Sequence, residues 1–150
     1  MKRYLVFAMM VVVVASCHKT AETQPFNTWT LNGTSYKAGS VTRQTNRLWV
    51  DTAGGALSHN FLDVEFAALP VTSASYTIVD ASSFKNVGAT EVKIIVGTRS
   101  PLQTYFSTGR EGKSLSVYVS KAGKIGISIP ENVVSNGYDS FKVSASVIEQ

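Results

Sequence analysis

Cysteine occurs once in this 150-residue chain, at Cys17, in the stretch Val14-Ala15-Ser16-Cys17. A thiol ionises near pH ~8.5, and its thiolate is the side-chain nucleophile that forms a stable thioether under mild conditions. Cys17 is therefore equipped for covalent alkylation. With no second cysteine there is no intrachain disulfide, so packing alone must hold the fold. Asp63 and Glu65 project from one side of an alternating stretch, roughly 6–7 Å apart by strand rise, near the separation of paired glycosidase carboxylates. Such carboxylates usually flank a substrate from separate elements, whereas acids alternating along one strand form its wet face; the wet face is the expectation here. His59 could join Asp63 and a serine in a triad, but nothing resembling a nucleophile elbow is present, and His59 reads as part of a polar loop. One histidine and no cysteine in the folded part provide no zinc or copper ligand set, and Gly54-Gly55 and Gly123-Lys124 lack the fingerprint of a phosphate cradle. No catalytic residue, metal or cofactor is expected.

Trp49 is the residue with most to offer a ligand. If Leu48 and Val50 face the core, the period of two sends Arg47, Trp49 and Asp51 to the opposite face, since the other register would bury two charges to bury one indole. An indole flanked by a cation and a carboxylate can stack on a sugar ring while its neighbours bind hydroxyls. The competing expectation is that a loop or the tether covers Trp49 and that its role is packing.

The elements around these residues begin with a leader. Lys2 and Arg3 precede an apolar run from Tyr4 to Ala15, which ends in small residues before Cys17. This is a secretory signal peptide over 1–16, too short to span a bilayer, which needs about 20 apolar residues. Its end resembles the lipobox of bacterial lipoproteins, with Val14 as the branched aliphatic, Ala15 and Ser16 as the small residues, and then Cys17. The resemblance implies that the Cys17 thiol receives diacylglycerol, that the chain is cut before it, and that the new amine is acylated. Plain secretion with cleavage after Ala15 would instead leave an unexplained free thiol. At ~0.8 kcal/mol per buried methylene, two or three acyl chains hold a protein stably on a membrane. His18 stands where an aspartate causes inner-membrane retention in some lipoproteins, so the resemblance implies the outer membrane; Glu22 alone, without an acidic run, implies a periplasm-facing domain.

Cleavage removes Lys2 and Arg3 from the 14 basic residues and leaves all 10 acidic ones, so the formal charge falls from +4 to +2. With no basic run longer than two residues, nucleic acid is not an expected partner. From His18 to Pro25 the chain is polar and reads as a tether within a 17–25 linker. Eight extended residues reach at most ~29 Å, and a coil of that length about 15 Å.

The domain, 26–150, opens on Asn32-Gly33, a two-residue hairpin turn that places Leu31 opposite Thr34 and Trp29 opposite Tyr36. Trp29, Asn32, Gly33 and Tyr36 resemble the hairpin that often opens small lipoproteins of the Bacteroidota, as do the Tyr105–Gly109 strand and the Ala122-Gly123-Lys124-Ile125 turn; that family implies location and a β fold rather than an activity. Alternating runs follow at Leu48/Val50, Leu62/Val64/Phe66, Tyr76/Ile78, Val92/Ile94/Val96, Leu115/Val117/Val119, Ile125/Ile127/Ile129 closed by Pro130, and Phe141/Val143/Ala145/Val147. About ten short strands argue a single antiparallel β-sandwich, with a closed lipocalin-like β-barrel as the alternative. The expected function is a non-catalytic binding or interaction module for a glycan or an envelope protein. The alternatives are a small envelope enzyme acting on glycan or peptide, and a carrier of a hydrophobic ligand.

Overall fold

A computed structural model describes residues 27–52 and 60–150. The leader, Cys17, the tether, His59 and the Ala53-Gly54-Gly55-Ala56 turn lie outside the described residues. Those residues form ten strands and no helix: β1 (Thr28–Leu31), β2 (Thr34–Gln44), β3 (Arg47–Thr52), β4 (Phe61–Phe66) and β5 (Ala74–Ile78), followed by β6 (Glu91–Arg99), β7 (Leu102–Ser107), β8 (Ser114–Val119), β9 (Ile125–Ser135) and β10 (Ser140–Ile148).

The sheet closes on itself. In the order β10-β1-β2-β3-β4-β6-β5-β8-β9, each strand pairs with the next and β9 pairs back to β10, which makes a nine-stranded barrel rather than the expected sandwich. The local alternation is the same in both architectures; the distinction lies in whether the first and last strands meet, and here Thr28 pairs with Ser146 and Leu31 with Val143. The tenth strand, β7, lies in the same wall. β6 pairs with β5 at Glu91 and Val92 and with β7 from Ile95 to Arg99. β9 likewise pairs with β8 from Ile125 to Ser128 and with β7 at Val134 and Ser135. Between β6 and β9, one strand thus gives way to two, at a seam.

The opening hairpin has the register that Asn32-Gly33 dictates: Trp29 lies opposite Tyr36, and the rings stack 4.6 Å apart. Among the described residues, Trp29, Phe66 and Tyr105 are the largest of 23 apolar side chains that fill the interior. The break expected at Pro130 is absent, and its cause recurs in β2. β2 runs through Gly39 and β9 through Pro130, each with a register shift: Ala38 and Ser40 oppose the successive residues Thr52 and Asp51, while Val143 and Ala145 oppose Asn132 and Ile129. A bulge adds one residue, bends the strand and reverses which side chains face inward. Ala38 is therefore followed inward by Val41, and Ile129 by Asn132 and Val134. Pro130, having no N–H to give a ladder, falls within such a bulge. The two longest strands, at 11 residues each, are the bulged ones, and their bending helps the sheet to close.

Candidate functional site

Leu48 and Val50 are fully buried, and Arg47, Trp49 and Asp51 lie on the outer face of the wall. Cross-strand pairing sets three rows across β3, β4 and β6: Arg47–Glu65–Lys93, Trp49–Asp63–Ile95, and Asp51–Phe61–Gly97. Gly97 makes room for the Phe61 ring, since a Cβ there would sit 1.9 Å from it. Phe61 in turn stacks on Trp49, with centroids 4.3 Å apart and planes 18° from parallel. One face of the half-buried indole is thus already occupied. Arg47 donates to Asp63 at 3.0 Å and to Glu65 at 3.2 Å, so its guanidinium is engaged within the wall. These contacts predict that Trp49→Ala lowers the unfolding free energy by about 2 kcal/mol, from half the burial of a core tryptophan plus one stacked pair. Urea denaturation measures it; a loss below ~0.5 kcal/mol would mark the ring as an open platform instead.

Asp63 departs from the expected wet face. It is 1% exposed, because Trp49, Phe61 and Ile95 share the outer face with it. Burial pushes its carboxyl up to about 6, against the attraction of Arg47 and with added repulsion from Glu65. Oδ2 accepts from Arg47, while Oδ1 has no hydrogen-bond partner among the described residues. Glu65 lines a small cleft with Asn46, Phe84, Lys85 and Lys93. In the neighbouring row, Lys93 Nζ donates to Ser83 O at 2.9 Å and to Lys85 O at 2.6 Å, fixing the β5–β6 loop against the wall.

The larger cleft, of about 630 Å³, lies along the seam, where Asp80, Ser82, Phe106, Arg110, Glu111 and Tyr138 line it. The seam is tightly built. Ser107 is fully buried, its hydroxyl donating to Val79 O at 2.6 Å and accepting from Ile94 N at 3.1 Å, so it ties β7 to β6 and to the backbone just past β5 where no single ladder can. Ala81 N donates to Ser107 O at 2.8 Å, and Asp80 pairs with Thr108 in an isolated bridge. Gly109 then turns the chain at φ +65°, and a Cβ there would meet Asp80 N at 2.7 Å.

The polar groups of the cleft are held in place. Asp80 Oδ1 accepts from the Ser82 hydroxyl at 2.6 Å and from Ser82 N at 2.8 Å. These bonds, with Arg110 and Lys93 nearby, hold its carboxyl below the usual value and keep it ionised. Glu111 pairs with Lys113 at 3.0 Å. Tyr138 stands at the rim, 97% exposed, on a braced turn. Asn136 Oδ1 accepts from Tyr138 N at 2.9 Å and from Asp139 N at 2.7 Å, while Ser135 Oγ accepts from Gly137 N at 3.1 Å and donates to Asp139 O at 2.9 Å. Gly137 supplies the φ of +91° that the turn requires. The cleft therefore offers an aromatic face, a carboxylate and a guanidinium over a concave floor.

Sequence periodicity did not reveal this cleft, because it draws on three segments far apart in the chain, 80–82, 106–111 and 133–140. The signal within reach was local: Asn136-Gly137-Tyr138 sets an aromatic on a turn that braces itself. Among the described residues, no group of three or more His, Cys, Asp or Glu side chains is placed to hold a metal ion. No protein-family model, curated protein or solved structure matches this chain.

Proposed function

We propose that this chain is a lipid-anchored, non-catalytic binding module of the cell envelope, held in the outer membrane through Cys17 and facing the periplasm, and that its seam cleft takes a carbohydrate. The observation that carries this reading is Tyr138, a large ring left in water on a turn whose four hydrogen bonds fix its backbone, beside a cleft with fixed polar groups. Saccharide rings present apolar C–H faces edged by hydroxyls, which suits an aromatic platform flanked by an ionised carboxylate and a guanidinium. The filled interior favours a ligand on the surface over one carried inside the barrel. Enclosure of Asp63 beneath Trp49 and Arg47 weighs against the pair of carboxylates acting on a substrate.

A glycan array, followed by calorimetry on the best ligand, tests the reading. Tyr138→Ala is expected to weaken binding about tenfold, the loss of one stacking contact of ~1.4 kcal/mol, and to change unfolding by less than ~0.5 kcal/mol because the ring packs against little. An array profile that is unchanged by this substitution would remove the cleft from consideration.

A further inference from the structure

We propose that the end of the barrel at which the chain enters β1 docks on an anionic bilayer surface, with Phe84 inserted among the headgroups and Lys85, Lys121 and Lys124 facing lipid phosphates. The proposal rests on the reading of Cys17 as a lipid anchor. Pairing places these residues together. β1 enters beside the end of β10, where Ile148 N donates to Asn27 Oδ1 and Glu149 N donates to Ile125 O. Arg43, near the end of β2, binds both the Glu149 carboxylate and Gly123 O, which brings the Lys121-Ala122-Gly123-Lys124 turn to the same end. The β2–β3 turn is joined to the end of β4 through Asn46 and Phe66, and Phe84 and Lys85 line the small cleft against Asn46 and Ala67.

The charge of this end is one-sided. Its acids are engaged within the fold: Glu149 with Arg43, Glu65 with Arg47, and Glu91 with the N–H of Gly88. Lys85, Lys121 and Lys124 are exposed and take no part in those pairs. At the opposite end the described cations are Arg99 and Lys142, and Lys142 is paired with Glu131 at 2.7 Å, so that end presents no comparable group of lysines. Phe84 is fully exposed at 106%, and Val71, in the β4–β5 loop of the basic end, is 85% exposed. Apolar tips among lysines match the acyl–headgroup boundary of an anionic membrane. A coil the length of the expected 18–25 tether averages about 15 Å, short enough to hold this end beside the bilayer, and the lysines gain from the surface on contact, within the ~8 Å Debye length at physiological salt. Each lysine at such a surface contributes a factor of about five to local binding. Docking this way turns Tyr138, in the β9–β10 turn at the opposite end, away from the lipid.

The test uses the processed protein carrying Phe84→Trp, reconstituted into vesicles of phosphatidylglycerol and phosphatidylethanolamine with brominated acyl chains. The mass of the N-terminal peptide is read from the same sample. The expected result is a blue-shifted emission from the new indole that is quenched at least twofold in anionic vesicles and restored by Lys85, Lys121 and Lys124→Glu. Acylated protein that floats with the vesicles but shows no such quenching overturns docking and leaves the anchor standing. Quenching without an acyl group supports docking and removes the anchor. Neither signal overturns both. Equal quenching in purely zwitterionic vesicles overturns the electrostatic part of the proposal.

Discussion

Gly109→Ala is expected to lower the unfolding free energy by about 3 kcal/mol and to weaken any ligand bound in the seam cleft. Two costs add. A non-glycine residue at φ +65° sits in the left-handed region, which costs ~1–2 kcal/mol, and a Cβ at 2.7 Å from Asp80 N presses on backbone that cannot rotate away, adding ~1–3 kcal/mol. Displacing Asp80 also disturbs the carboxylate that Ser82 orients. Gly123→Ala is the internal control: its φ is +76°, but no atom stands within 4 Å of the added methyl, so only the first cost applies. Urea unfolding of both variants separates the terms. Equal losses would show that the approach of the β7 end to the β5 end carries no packing cost.

Asp63→Asn is expected to do the opposite and stabilise the protein at pH 7. The Asp63 carboxyl is raised from 3.8 to about 6 by burial, so between these values the folded protein holds a proton that the unfolded chain has released. Stability from this group is therefore present below pH ~4 and lost as pH rises to about 6, at ~1.4 kcal/mol per pH unit, for a total of about 3 kcal/mol. Asparagine mimics the protonated carboxyl and removes that loss, while Arg47, 40% exposed, keeps Glu65 as a partner. Glu149 and Asp80, whose carboxyls are lowered by Arg43 and Ser82, contribute the reverse slope in both proteins and cancel in the comparison. The difference between wild type and variant, measured by denaturation from pH 4 to 7, should grow with pH and then level off. A variant less stable than wild type at pH 7 would mean that the Arg47 attraction outweighs desolvation, the reverse of the balance stated here.

The period of two identified most of the inward residues, because burial on one face is a local property of a strand. Leu48, Val50, Leu62, Val64, Val92, Ile94 and Val96 are all fully buried, and the Trp29–Tyr36 pair follows from Asn32-Gly33 alone. Closure was not legible, since it is decided by β1 meeting β10 across almost the whole domain. Pro130 misled for a more specific reason: a missing donor ends a regular ladder but costs nothing in a bulge. Asp63 differs because facing outward is not the same as facing water. The outward positions themselves carry the signal, since Trp49, Phe61 and Ile95 surround it with apolar surface. Of the sequence-based site residues, Trp49 was placed on the correct face, but its contact with Phe61 depends on Gly97, a residue on another strand that no local pattern connects to it.

The pairing of Thr28 with Ser146 also sets an order in time. β1 is flanked by β2, its immediate successor, and by β10, the last of the described strands in chain order. Trp29 can stack on Tyr36 early, yet its complete burial awaits Val143 and Ala145, more than a hundred residues later. Such long-range closure is slow, because the entropy of the intervening chain is lost before the new contacts compensate. A nascent chain of this design remains open until β10 arrives. Until then β1 and β10 stand as two open edges, each a template on which a second chain could pair, so the joint that completes the barrel is also where folding is most exposed to aggregation.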